Sequence, residues 1–152
     1  MITIRTARKN DIDWIVHHRI EMFRSMGRSE SELSIVEQYV RNYLAKSWDD
    51  NLIGFLAVEH EKIVGGGVIS VWHALPTPRN PTGGIVYLHN VFVEPAYRRR
   101  GIASALLQHV IEYARQIGFH KIELERTPMG QHVYERAGFV KTEDHHTLGL
   151  DL

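Results

Sequence analysis

Apolar residues recur along this chain with two periods, and the switches between them outline its elements. Ile2 and Ile4 alternate with polar neighbours, predicting a short strand with one buried face. Past Asn10 or Asp11, either of which offers a helix N-cap, Ile12, Ile15, Val16, Ile20 and Phe23 return at helical spacing until Gly27 stops them. A second helix, Ser31 to Lys46, carries Leu33, Val36, Tyr39, Val40, Tyr43 and Leu44 on one stripe. The period then shortens. Leu52 to Val58 is an apolar run, His60-Glu61-Lys62 makes a turn, and Ile63 to Trp72, with Gly65, Gly66 and Gly67 inside it, completes a hairpin.

Between His73 and Gly84 lies a loop with three prolines, which reads equally as a connector or as the rim of a substrate site. Ile85 to Val93 is the next strand. A helix follows with Ile102, Leu106, Val110, Ile111 and Ala114 inward, ending near Gly118. Lys121 to Glu125 alternates as a strand, Pro128 to Ala137 forms a short helix ended by Gly138, and Phe139 to Glu143 and His145 to Leu152 make two closing strands. The order is strand, two helices, three strands, helix, strand, helix, two strands. It predicts an α/β fold with a mostly antiparallel, twisted sheet flanked by helices, in one domain over residues 1–152.

Composition narrows the partners. Eighteen basic and eighteen acidic residues cancel, so no global field attracts nucleic acid or an anionic membrane, and an arginine run must act locally. The absence of cysteine removes disulfides and thiolate chemistry, a cysteinyl acyl-enzyme included. The N-terminus lacks the apolar core of a signal peptide and no run is long enough to span a bilayer, so the expected location is the cytoplasm. No metal is expected, because the histidines lack ligand spacing. His17 and His18, as sequence neighbours on a helix, should point in different directions.

Charge does concentrate where a strand meets a helix, in Val91-Phe92-Val93-Glu94-Pro95-Ala96-Tyr97-Arg98-Arg99-Arg100-Gly101-Ile102-Ala103-Ser104. A helix start presents N–H groups without intrahelical partners at the positive end of the dipole, and small residues at Gly101 and Ala103 let an anion reach them. A P-loop would require spaced glycines and Gly-Lys-Ser/Thr, and a dinucleotide fold more glycine and a distant acidic ribose partner; neither is evident.

The pattern Arg-x-x-Gly-x-Ala after an apolar strand resembles the acyl-CoA pyrophosphate loop of the GCN5-related N-acetyltransferase (GNAT) superfamily. Tyr134-Glu135-Arg136-Ala137-Gly138-Phe139 resembles a second signature of that family, a tyrosine on a short helix ahead of Gly-Phe. The element order over the whole chain is similar too. The resemblance implies an N-acetyltransferase that moves an acetyl group from acetyl-CoA to a primary amine by direct attack. A non-catalytic acyl-CoA-binding regulatory module is the alternative.

By the same resemblance, the backbone of Val91, Phe92 and Val93 would hold the pantetheine arm. The amides of Arg99, Arg100, Gly101, Ile102, Ala103 and Ser104 would cradle the pyrophosphate, with Arg98 and its neighbours supplying charge. Tyr134 would protonate the departing thiolate; the bland alternative is a core tyrosine, and the Gly-Phe context favours the catalytic role. Thr127 stands where many members carry an asparagine and is a candidate cofactor contact, while Gly130 and Gln131 are candidates to shape the acyl pocket.

A base must deprotonate the amine before it attacks. His89, two residues before Val91 and so expected on its face, is the candidate, with Glu123 and Glu125 on the neighbouring strand as others. The acceptor is a small-molecule amine or a peptide N-terminus, and the closing strands offer an edge for a homodimer.

Overall fold

In the computed structural model, which describes residues 1–142, 150 and 151, five strands form one sheet in sequence order. They are β1 (Thr3–Thr6), β2 (Leu52–Glu59), β3 (Lys62–His73), β4 (Gly84–Val93) and β5 (Ile122–Leu124). The first four pair antiparallel, and β5 joins β4 in parallel after a helical crossover. His60 and Glu61, both left-handed, make the tight turn of the β2–β3 hairpin.

Helices α1 (Ile12–Ser25) and α2 (Glu30–Ser47) cover one face of the sheet, and α3 (Ile102–Gln116) covers the other. The start of α2 is fixed locally. Ser29 Oγ accepts from the Glu32 amide at 3.3 Å while Glu32 Oε2 accepts from the Ser29 amide at 2.9 Å, a reciprocal capping box. Only Leu33 and Leu44 of the expected α2 stripe are fully buried. Val36 and Val40 pack at its edge, whereas Tyr39 and Tyr43 face solvent, 72% and 53% exposed, because α2 is the outermost layer.

The two faces have separate cores. Phe55, Val64, Ile69, Val86, Leu88 and Val93 meet Ile102, Leu106, Leu107 and Val110 of α3 on one side. Leu52, Leu56 and Val68 meet Ile15, Val16, Ile20 and Leu33 on the other. Close approach on the α1 face depends on glycine: a Cβ on Gly66 would stand 2.9 Å from His18 Nδ1.

The loop from residue 74 to 83 is a folded connector. Buried Asn80 donates from Nδ2 to the Gly84 carbonyl at 2.9 Å and exchanges backbone bonds with Thr77. The short helix α4 is Gln131–Arg136, later than expected, because Pro128, Met129 and Gly130 form a preceding turn that Thr127 holds. Residues 139–142, expected to open the first closing strand, have no strand pairing. Glu143 and most of the second closing strand, with the proposed dimer edge, lie outside the described residues. No helix among the described residues is long and apolar enough to cross a membrane.

Candidate active site

The pairing of β4 with β5 ends at Leu88 and Leu124. Beyond that point a cleft of about 720 Å³ opens between Val91–Val93 on one wall and 127–134 on the other, a volume suited to a sizeable ligand. Its floor is the start of α3, and Met22, Ser25 and Met26 at the end of α1 close a further side.

The α3 start is built for an anion. Arg99 and Gly101 both adopt left-handed backbone conformations, φ +62° and +77°, with Arg100 between them, an alternation that turns successive N–H groups into a concavity. Gly101 supplies no capping side chain, and the first bond inside the helix runs from the Ala105 amide to the Gly101 carbonyl at 3.0 Å. The amides of Ile102, Ala103 and Ser104 are therefore left without intrahelical partners. A Cβ at Gly101 would meet nothing within 4 Å, so the glycine serves its backbone angle and leaves the approach open.

The arginines divide. Arg98 lines the cleft, donates from Nε to the Val93 carbonyl at 2.9 Å and lies over the Phe92 ring. Arg99 lines it as well. Arg100, expected to bring charge to the same anion, turns away instead. Its guanidinium forks onto Glu59 of β2 at 2.6 and 3.1 Å and is neutralised there.

Across the cleft stands Tyr134, 8% exposed, with its ring edge toward Phe139. Burial pushes its phenol above the usual tyrosine range, so the proton stays on oxygen at neutral pH. Gly130 makes room for this ring: a Cβ there would lie 2.7 Å from Tyr134 Cε2. Thr127 lines the cleft while its Oγ1 accepts from the Gly130 amide at 3.2 Å, which leaves its O–H proton available to a ligand. Gly130 also lines the cleft, whereas Gln131 points away and donates to Glu135 at 2.7 Å.

His89 is not where alternation put it. Val68 pairs with Asn90 but Ile69 with Leu88, so His89 is the extra residue of a β-bulge. The bulge reverses the parity of the strand. Val91 packs with Val86, Leu88 and Val93 on the α3 face, while His89 contacts Tyr87 and shares a 2.6 Å hydrogen bond with Ser70 Oγ on the α1 face. Burial, helped by the charge of Arg19, pushes its imidazole down to about 4. It is neutral at pH 7 and has a lone pair to offer.

Two further features escaped sequence reasoning. Met22 on α1 and Met26 just past its end, four residues apart, were not legible as a cleft wall. His17 and His18 reach the same carboxylate oxygen after all, Glu94 Oε1, at 2.7 and 3.6 Å. His18 is fully buried, stacks on Phe92, and is pushed down to about 4 by burial and by His17.

The comparisons agree with this geometry. The model of the acetyltransferase (GNAT) family matches residues 18–139. A GCN5-related N-acetyltransferase from Ralstonia eutropha superposes with a TM-score of 0.90 at 27% identity, covering 97% of this chain and 98% of that one. A predicted acetyltransferase from Clostridium acetobutylicum, solved with acetyl-CoA, superposes at 0.82 with 28% identity over 98% and 96% of the two chains. An uncharacterized N-acetyltransferase of Methanocaldococcus jannaschii is 27% identical over 146 residues, 93% of this chain and 62% of that protein. The chain spans only 58 to 66% of the length of the curated relatives it matches.

Proposed function

Because this chain belongs to the GNAT family of acetyltransferases, whose model spans residues 18–139, we propose that it acetylates a primary amine with acetyl-CoA as donor. The observation that carries the reading is the uncapped, left-handed start of α3 facing the buried Tyr134 across one cleft. When bound, acetyl-CoA supplies an activated thioester whose acetyl carbon bonds to the amine nitrogen as its carbon–sulfur bond breaks.

Each residue then has a task. The amides of Ile102, Ala103 and Ser104 bind the pyrophosphate, with Arg98 and Arg99 adding charge. The strand wall of Val91, Phe92 and Val93 holds the pantetheine arm by its backbone. Thr127 offers its hydroxyl proton to the cofactor. Tyr134 holds a proton for the sulfur that leaves, and its burial keeps that proton in place until then.

His89 takes the proton that the attacking ammonium must lose. Its place on the α1 face supports the role, because it sets the base on the face of β4 opposite to that of the acid Tyr134. An amine that enters from the α1 side and a thiolate that leaves toward Tyr134 would use the two groups separately. The cysteine-free sequence is compatible with a reducing, cytoplasmic setting.

The test is calorimetry with acetyl-CoA and CoA, followed by detection of free thiol across a panel of amines. Binding with turnover supports the enzyme. Binding without turnover of any amine supports the regulatory module instead, and no binding sinks both.

A further inference from the structure

The arginines of the first two helices and the turn between them are matched to carboxylates, with one exception. Arg24 pairs with Glu21 and Glu30, Arg28 with Glu32, and Arg41 with Asp13 and Glu37. Arg19 is more buried than any of these, yet no carboxylate among the described residues lies within ion-pair distance of it. Its guanidinium donates to Asn90 Oδ1 at 3.3 Å and lies 5.0 Å from the Phe23 ring centre. A half-buried cation so held has lost water and gained little, a costly arrangement unless an anion completes it.

The neighbouring group sharpens the requirement. Arg19 only donates, so Asn90 must face it with its carbonyl, and Asn90 Nδ2 is then a buried donor without a partner. The pair offers N–H groups and no free acceptor. Its natural complement is a group that only accepts, a carboxylate or a phosphate, and the planar fork of arginine suits both.

We propose that Arg19 receives the anionic group of the acceptor, so that the amine substrate of this enzyme also carries a carboxylate or phosphate. The inference rests on the acyl-transfer reading above and names its substrate class. Location sets the size of the molecule. Asn90 adjoins Val91, on the cleft wall, by one Cα–Cα step of about 3.8 Å, and His89 is its other neighbour. Arg19 and Asn90 stand with His89 on the α1 face of β4, the side proposed for entry of the amine, so the acceptor that joins them is a small molecule such as an amino acid or an amino-sugar phosphate.

The experiment compares acceptors in pairs: amino acids with their carboxamides, and glucosamine 6-phosphate with glucosamine. The charged member of at least one pair should have the higher kcat/KM by roughly ten- to hundredfold, the range of a charge-assisted hydrogen bond. The amino-acid pair identifies the group as carboxylate, the sugar pair as phosphate. In R19M the ratio should collapse toward one, mainly through KM of the charged member, and R19K, with charge but no fork, should fall between. The wild-type ratio stands as a test even where R19M fails to fold. Turnover indifferent to charge in both pairs, or a preference that survives in folded R19M, overturns the inference alone. Acetyl-CoA binding with no amine acetylated at all overturns the acyl-transfer reading and the inference together.

Discussion

The two faces of β4 are built from different materials. Toward α3, the cleft presents backbone: unpartnered amides at Ile102 to Ser104, the left-handed residues Arg99 and Gly101, and a strand wall of Val91 to Val93. Toward α1, the same strand presents side chains, with His89 on Ser70, Asn90 on Arg19 and His18 stacked on Phe92. Backbone amides bind any molecule that carries the right phosphates, so that face is suited to a donor shared by many enzymes. Buried polar side chains discriminate, because each leaves a costly unpaired group when the wrong molecule binds. The single bulge at His89 lets one strand serve both faces.

The sharpest way to break this division is at Tyr134, the side chain on the α3 face proposed to supply the proton. Tyr134→Phe keeps the ring, its packing on Phe139 and the room left by Gly130, and removes only the hydroxyl. It should lower kcat by about a hundredfold or more, the lower range of general acid catalysis, with acetyl-CoA affinity unchanged by calorimetry. A variant with normal kcat would return Tyr134 to the core.

On the α1 face the corresponding probe is acid. His18 and His89 are held neutral with values near 4 against about 6.5 in an unfolded chain. Their folded values are depressed, so the stability they lend is full above about pH 6.5, declines as pH falls, and is lost by about pH 4. His18, fully buried, accounts for about 3 kcal/mol of that loss, and the less buried His89 for less. Urea midpoints between pH 7 and 4.5 should drop accordingly. His18→Leu should flatten the slope, and an unchanged slope would place its origin elsewhere.

How much of this was legible in the sequence follows from the range of each signal. Local signals carried well: the alternation of β1, the apolar runs of β2 to β4, the glycine stops after α1 and α3, and the strand-to-helix turn at Gly101. Signals that need two distant segments did not carry. The bulge at His89 exists only in the register of β4 against β3, so counting along one strand put that residue on the wrong face. His17 and His18 converge on Glu94, 77 residues away from His17, a meeting no helical wheel contains. The outward turn of Tyr39 and Tyr43 depends on α2 having nothing beyond it among the described residues.

A smaller change should follow from altering the backbone face at its centre. Gly101→Val forces a β-branched residue into a left-handed conformation, a strain of about 1–2 kcal/mol, and covers the amides proposed to receive the pyrophosphate. The acetyl-CoA dissociation constant should rise by about tenfold, with the preference among acceptors unmoved. A shift in acceptor preference would mean that the two faces are not separable.

The smallest effect is expected where the sequence suggested a large one. Arg100 belongs to the same arginine run as Arg98 and Arg99, yet its charge is spent on Glu59, and both side chains of that pair reach solvent. Exposed ion pairs contribute little, so Arg100→Ala should change the acetyl-CoA dissociation constant by less than about threefold. Arg98→Ala removes a cation that lies on the cleft wall and a bond to the Val93 carbonyl, and should weaken binding more. The order of the two variants is the informative result. If Arg100→Ala proved the weaker binder, Glu59 would have to release its arginine when acetyl-CoA binds, and the anion site would be assembled by the donor rather than built into the fold.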